Sequence, residues 1–212
     1  MIACSVARIR LSFLRVGTRI VFLATTMSFF GFAQSGAGKA MRASKEELRA
    51  VDLETTAIIR SIKHLTWKER HLPPADEEVV LLVVGHDVCL FKERLAFLIE
   101  NDGTSISGRK IRVESRESIN SARKAQSGNA KILMVCLLES VSKDWTRNAI
   151  PDQQGLVLFG QGEIFRRQGL SLCSRIENNR IRLSVNLKKL NGIQVEVDHG
   201  LFFMNPVFRL EE

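Results

Sequence analysis

The chain has 212 residues, 45% of them hydrophobic, with 4 cysteines and 31 basic against 23 acidic side chains, a formal net charge of +8. That length suits one domain whose core needs no disulfide staples, and the excess charge stops pointing to a nucleic-acid partner once the first residues are set apart. Arg8, Arg10, Arg15 and Arg19 precede any acidic residue, and Ile20 to Ala33 then runs uncharged through Val21, Phe22, Leu23, Met27, Phe29, Phe30 and Phe32. A basic segment followed by an apolar one is the pattern of a secretory signal peptide, and small residues place cleavage after Ala33 or Ala37. The apolar run carries Thr25, Thr26 and Ser28 and falls short of the roughly 20 apolar residues a spanning helix needs. Residues 1–37 therefore read as signal peptide and cleavage region, and 38–43 as a flexible lead-in to one domain over 44–212. Without the four signal arginines, 27 basic residues face 23 acidic ones, near +4. They interleave as in Lys45-Glu46-Glu47-Leu48-Arg49 and Lys68-Glu69-Arg70, as on a solvated helix face. No nucleic-acid partner is expected.

Ser44 with Glu47 has capping-box spacing. From there Leu48, Val51, Leu53, Thr56, Ile59, Ile62 and Leu65 recur at helical spacing as far as Trp67, with Pro73-Pro74 closing the segment. Val79 to Val84 is a continuous apolar run stopped by Gly85, the signature of a strand buried on both faces. Phe91 to Ile99 is helical in period and ends at Asn101-Asp102-Gly103. Arg109 to Glu114 reads as a short strand with Ile111 and Val113 on one face, followed by a polar helix starting at Ser115 or Ser118. Lys131 to Leu138 is a second doubly buried strand, Ser140 to Asn148 a helix, and Leu156 to Phe159 a third buried strand. Gly169–Ser174 and Arg180–Leu187 flank Glu177-Asn178-Asn179, and Ile181, Leu183, Val185 and Leu187 alternate with polar residues, so an antiparallel hairpin with one wet face is expected. A last apolar segment covers Ile193 to Leu210. The fold class is thus α/β: a mixed, mostly parallel sheet flanked by helices, with a C-terminal antiparallel hairpin.

Little in the chain points to chemistry. Gly36-Ala37-Gly38-Lys39-Ala40 lacks the upstream glycine, the Ser or Thr and the preceding strand of a phosphate loop. His64, His71, His86 and His199 have no ligand at metal-site spacing, and no serine or cysteine stands on a glycine-flanked turn. We expect no catalytic residue, metal or cofactor, and no enzyme. Cys4 leaves with the signal, and Cys89, Cys136 and Cys173 allow at most one intramolecular disulfide; which pair, if any, is open, and small buried apolar side chains account for all three equally well. Two features suit binding. Gly85-His86-Asp87 follows a parallel strand, where open α/β sheets place ligands, although Asp87 as a plain helix cap serves as well. Leu201-Phe202-Phe203-Met204 with Phe208 is more apolar than a tail requires, either as the last part of the core or as a partner surface.

Several of these features together resemble the YfiR-like family of periplasmic regulatory proteins: a signal peptide, a first helix running to a tryptophan, Leu82-Val83-Val84-Gly85, a strand after Ser107-Gly108-Arg109, a buried strand followed by Glu139-Ser140, Gly169-Leu170-Ser171-Leu172, and Asn179 to Leu187 leading into Lys188-Lys189-Leu190. The resemblance implies a periplasmic, non-catalytic binding protein that restrains a membrane-embedded partner, a diguanylate cyclase or a histidine kinase, and releases it on an envelope signal. Trp67, Phe202 and Phe203 are the surface residues we assign to that partner, and a second copy of the chain stays open as another. Two other functions remain to be weighed: a periplasmic small-molecule binder using Gly85 and Asp87, and a hydrolase whose site assembles only in space.

Overall fold

Ser44 caps the first helix as the sequence predicts. Its hydroxyl accepts the Glu47 N–H at 3.1 Å while the Glu47 carboxylate accepts the Ser44 N–H at 2.6 Å, a reciprocal cap that opens helix α1, Lys45–Lys63. The computed structural model describes residues 44–86, 88–128, 130–203 and 209–211; the expected signal peptide and lead-in, Asp87, Met204, Phe208 and the side chain of Cys89 lie outside what is described.

Helix α1 stops four residues before Trp67. Leu65–Trp67 is instead a short strand, β1. Its burial alternates in, out, in, a period of two that a helical reading of the same residues obscures. A single 3-10 turn, Glu69–His71, carries the chain past the prolines to β2, Val79–Val84, all six of whose residues are buried. Next come α2 (Val88–Asn101), the two-residue β3 (Ser105–Ile106), β4 (Arg109–Arg116), α3 (Ile119–Gln126) and β5 (Ile132–Leu137). A 3-10 turn at Glu139–Val141 leads into α4 (Ser142–Asn148), β6 (Val157–Gln161) and α5 (Glu163–Arg167), a one-turn helix the sequence reading does not contain. The hairpin β7 (Leu172–Glu177) and β8 (Arg180–Asn186) turns on Asn178 and Asn179, with φ of 50° and 58°. Two successive left-handed residues make the tight turn whose twist matches paired strands, and asparagine tolerates that conformation. The chain finishes with α6 (Leu187–Gly192), β9 (Val195–Val197), α7 (Gly200–Phe203) and β10 (Arg209–Glu211).

Seven strands form the main sheet in the order β10-β8-β7-β6-β5-β2-β4, and β3 extends its edge by pairing antiparallel with β4. From β4 to β7 every neighbour is parallel. Strands β7 and β8 are antiparallel, and β10 lies parallel to β8. Strands β1 and β9 form a separate antiparallel pair with Trp67 opposite Val195. The architecture is therefore the expected mixed, mostly parallel α/β sheet with its hairpin. Helices cover both faces. On one, Ile58, Ile59 and Ile62 of α1 and Phe91, Leu95 and Ile99 of α2 pack on Leu81, Val83, Cys136 and Phe159. On the other, Ile119 of α3, Trp145 of α4 and Phe165 of α5 pack on Leu82, Val84, Val135 and Leu158. Residues from Arg42 onward make one compact unit.

Candidate functional site

From β2 the chain crosses by α2 to β4 on one side of the sheet, and then by α3 to β5 on the other side of β2. The carboxyl ends of β2 and β5 therefore frame the point where strand order reverses, where open α/β sheets place their sites. Gly85 lies there as expected, but as a close-packed joint. A Cβ on it would stand 2.7 Å from Leu138 Cβ and 2.8 Å from Ser140 Oγ. The Ser140 hydroxyl also accepts the His86 N–H at 3.0 Å, tying the two loops together.

Beside this joint the structure assembles polar groups that sequence reasoning missed. Glu54 of α1 accepts a hydrogen bond from the Gln161 side-chain amide at the end of β6. The amide oxygen of Gln161 in turn accepts the Glu139 N–H at 3.2 Å. The Glu139 carboxyl lies over Gly162, whose Cβ position is 3.4 Å from Glu139 Cδ. Burial first, then the Glu139 charge, pushes the Glu54 carboxyl up to about 7, against the pull of the Gln161 hydrogen bond. One signal was available. Glu54 falls three residues after Val51 and four before Ile58, so a carboxylate stands on the apolar stripe of its helix.

The hairpin carries a second polar network on its wet face. Glu163 at the start of α5 bonds Arg166 through Nε at 2.8 Å, and Arg175 and Arg167 lie 3.3 and 3.4 Å away. These arginines, Arg166 foremost, hold the Glu163 carboxyl down at about 2. Arg175 and Arg182 also clamp Glu177, at 2.8 and 2.6 Å. Arg109, which the sequence offers only as the start of a strand, is 5% exposed and binds Glu69 and the Pro73 carbonyl, pinning the loop before β2.

The surface assigned to a partner divides. Trp67 is not on the surface: it is 3% exposed, and its indole N–H donates to the Gly155 carbonyl at 2.8 Å. As part of β1 it faces the core that α1 also covers, which corrects its place among the surface candidates. Phe202 is half-buried against the same core and 6.3 Å from the His199 ring. Phe203, next to it, is 86% exposed. Leu201 is fully buried, so this segment completes the core and presents an aromatic at once. Cys136 is a buried thiol without a disulfide, its pKa raised by burial, and Cys173 is buried in β7. His64 lies 3.5 Å from Asp198, and His71 shares a 3.0 Å hydrogen bond with Gln194. Among the described residues, no group of three or more His, Cys, Asp or Glu side chains converges as a metal site, and no helix is long and apolar enough to cross a membrane.

A mixed, mostly parallel sheet entered through a capped helix and closed by a hairpin that feeds a short helix is the arrangement the residue pattern predicts. The sequence profile of the YfiR/HmsC-like family matches residues 52–204, from the middle of α1 to just past Phe203. The chain belongs to the YfiR/HmsC-like family. At family level this supports a non-catalytic, periplasmic regulator of cyclic-di-GMP signalling. No curated protein matches the sequence.

Proposed function

We propose that this YfiR/HmsC-like chain is exported by residues 1–37 and acts in the periplasm as a non-catalytic binding protein. It restrains a membrane-embedded diguanylate cyclase or histidine kinase and frees it on an envelope signal. Phe203 carries the reading of where contact is made. A phenylalanine left 86% exposed next to a residue anchored in the core gives a partner a rigid aromatic to bury, the kind of residue that dominates binding energy at interfaces. Family membership supports the regulatory role. Gly85 does not favour the small-molecule alternative, because its loop is packed directly against Leu138 and Ser140.

The test is co-purification of the full chain, expressed with its export signal, from detergent-solubilised membranes. The expected companion is a membrane protein carrying a cyclase or kinase domain, lost on Phe203→Asp while the melting temperature is kept. Undiminished capture with Phe203→Asp would remove that residue from the interface. Recovery of no such membrane protein, together with a melting temperature raised by a metabolite, would replace the regulator with a small-molecule binder.

A further inference from the structure

We propose that Glu54, Glu139 and Ser174 hold a hard divalent cation, Ca2+ by preference, at the carboxyl edge of the sheet, with Gln161 positioning Glu54. Three elements bring these residues to one end of the sheet. Glu54 reaches down from α1, Glu139 follows β5 and lies over Gly162, and Gln161 ends β6 between them, bonded to the Glu54 carboxylate and to the Glu139 N–H. Glu139, itself exposed, stands close enough for its charge to act on the Glu54 carboxyl, and among the described residues no lysine or arginine forms an ion pair with Glu54. Bringing a carboxylate out of water beside another is unfavourable unless a positive charge joins them.

An independent observation comes from β7. Ser174 is 1% exposed, and its Oγ has no hydrogen-bond partner. Buried hydroxyls are rarely left so. Ser174 pairs directly with Gln161 across the β6–β7 ladder, and paired residues in a sheet point to the same face. The orphan oxygen therefore lies beside Gln161 on the side from which Glu54 arrives. Two carboxylates, a neutral hydroxyl and completing waters are an all-oxygen set of the kind Ca2+ takes with flexible geometry. Its low ligand charge fits the weak, millimolar class that serves extracellular modules. Such a cation would fasten α1 to the ends of β5, β6 and β7.

The experiment is calorimetric titration of CaCl2 and, separately, MgCl2 into full-length protein stripped with EDTA at pH 7.5, with melting curves recorded alongside. The expected result is one Ca2+ site with Kd about 10⁻⁴ to 10⁻³ M and a raised melting temperature. Glu54→Gln should weaken it by at least about tenfold, as should Ser174→Ala, which leaves both carboxylates in place. No binding heat and no shift in melting temperature would overturn the proposal. So would equal binding by both variants, or stabilisation that follows falling pH but not added cation, which would make a proton the only occupant. The regulator reading stands or falls separately, on partner capture.

Discussion

The middle of the sheet and its hairpin end are built on opposite terms. Strands β2, β5 and β6 are packed on both faces; Phe159 is fully buried, and a Cβ on Gly160 would stand 2.4 Å from Phe165 Cβ. Strand β8 buries Ile181, Leu183 and Val185 on one face and, with the outer half of β7, leaves the other to Arg175, Arg182 and Glu177, each about a third or more exposed. Interiors at crystal density feel the loss of single methylenes, whereas exposed ion pairs are screened by water. Stability is therefore concentrated in the centre, and the hairpin and its neighbours are where the chain can vary its contacts.

The largest expected effect that sharpens this contrast is Phe159→Ala, which should cost about 3–5 kcal/mol in urea unfolding; a loss below about 1.5 kcal/mol would show that the centre repacks and would break the comparison. Next is Glu54 at the border of the two regions. Its pKa in the fold, about 7, exceeds the ordinary 4.5, so the folded chain binds this proton more tightly than the unfolded one. Its contribution is full below pH 4.5 and is lost as pH rises through 7. In EDTA, Glu54→Gln should flatten that slope and raise stability at pH 8 by up to about 3 kcal/mol; an unchanged pH profile would contradict the burial of the carboxyl. Trp67→Phe replaces the buried indole with a smaller ring and deletes the bond to Gly155, and should cost about 2–3 kcal/mol by thermal melting, against no loss if Trp67 were a surface residue. Smallest is Arg182→Ala in the hairpin, at less than about 1 kcal/mol. A loss as large as that at Phe159 would place the hairpin network on a par with the core.

The same contrast decided what could be read from sequence. Val79 to Val84 and Ile132 to Leu137 are uninterrupted apolar runs, and a residue buried on both sides leaves no other pattern, so the parallel centre was legible. The hairpin was legible too, from strict alternation around Asn178-Asn179. Trp67 was misplaced because Leu65 continues the helical phase of Ile59 and Ile62, while the strand that follows is only three residues long and depends on β9, far along the chain. Helix α5 is a single turn, too short for any periodicity. The polar group at the strand ends was hidden for a different reason: Glu54, Glu139, Gln161 and Ser174 come from four separate segments and meet only through sheet register and the packing of α1.

In the function proposed above, the chain restrains cyclic-di-GMP signalling from outside the cytoplasm. Intracellular cyclic-di-GMP, measured after deletion of the gene and after its return with or without residues 1–37, tests it most directly. The expected result is a rise on deletion that the full chain reverses and the shortened, unexported chain does not. An unchanged level on deletion would contradict restraint of a cyclase, and full rescue by the unexported chain would contradict action outside the cytoplasm.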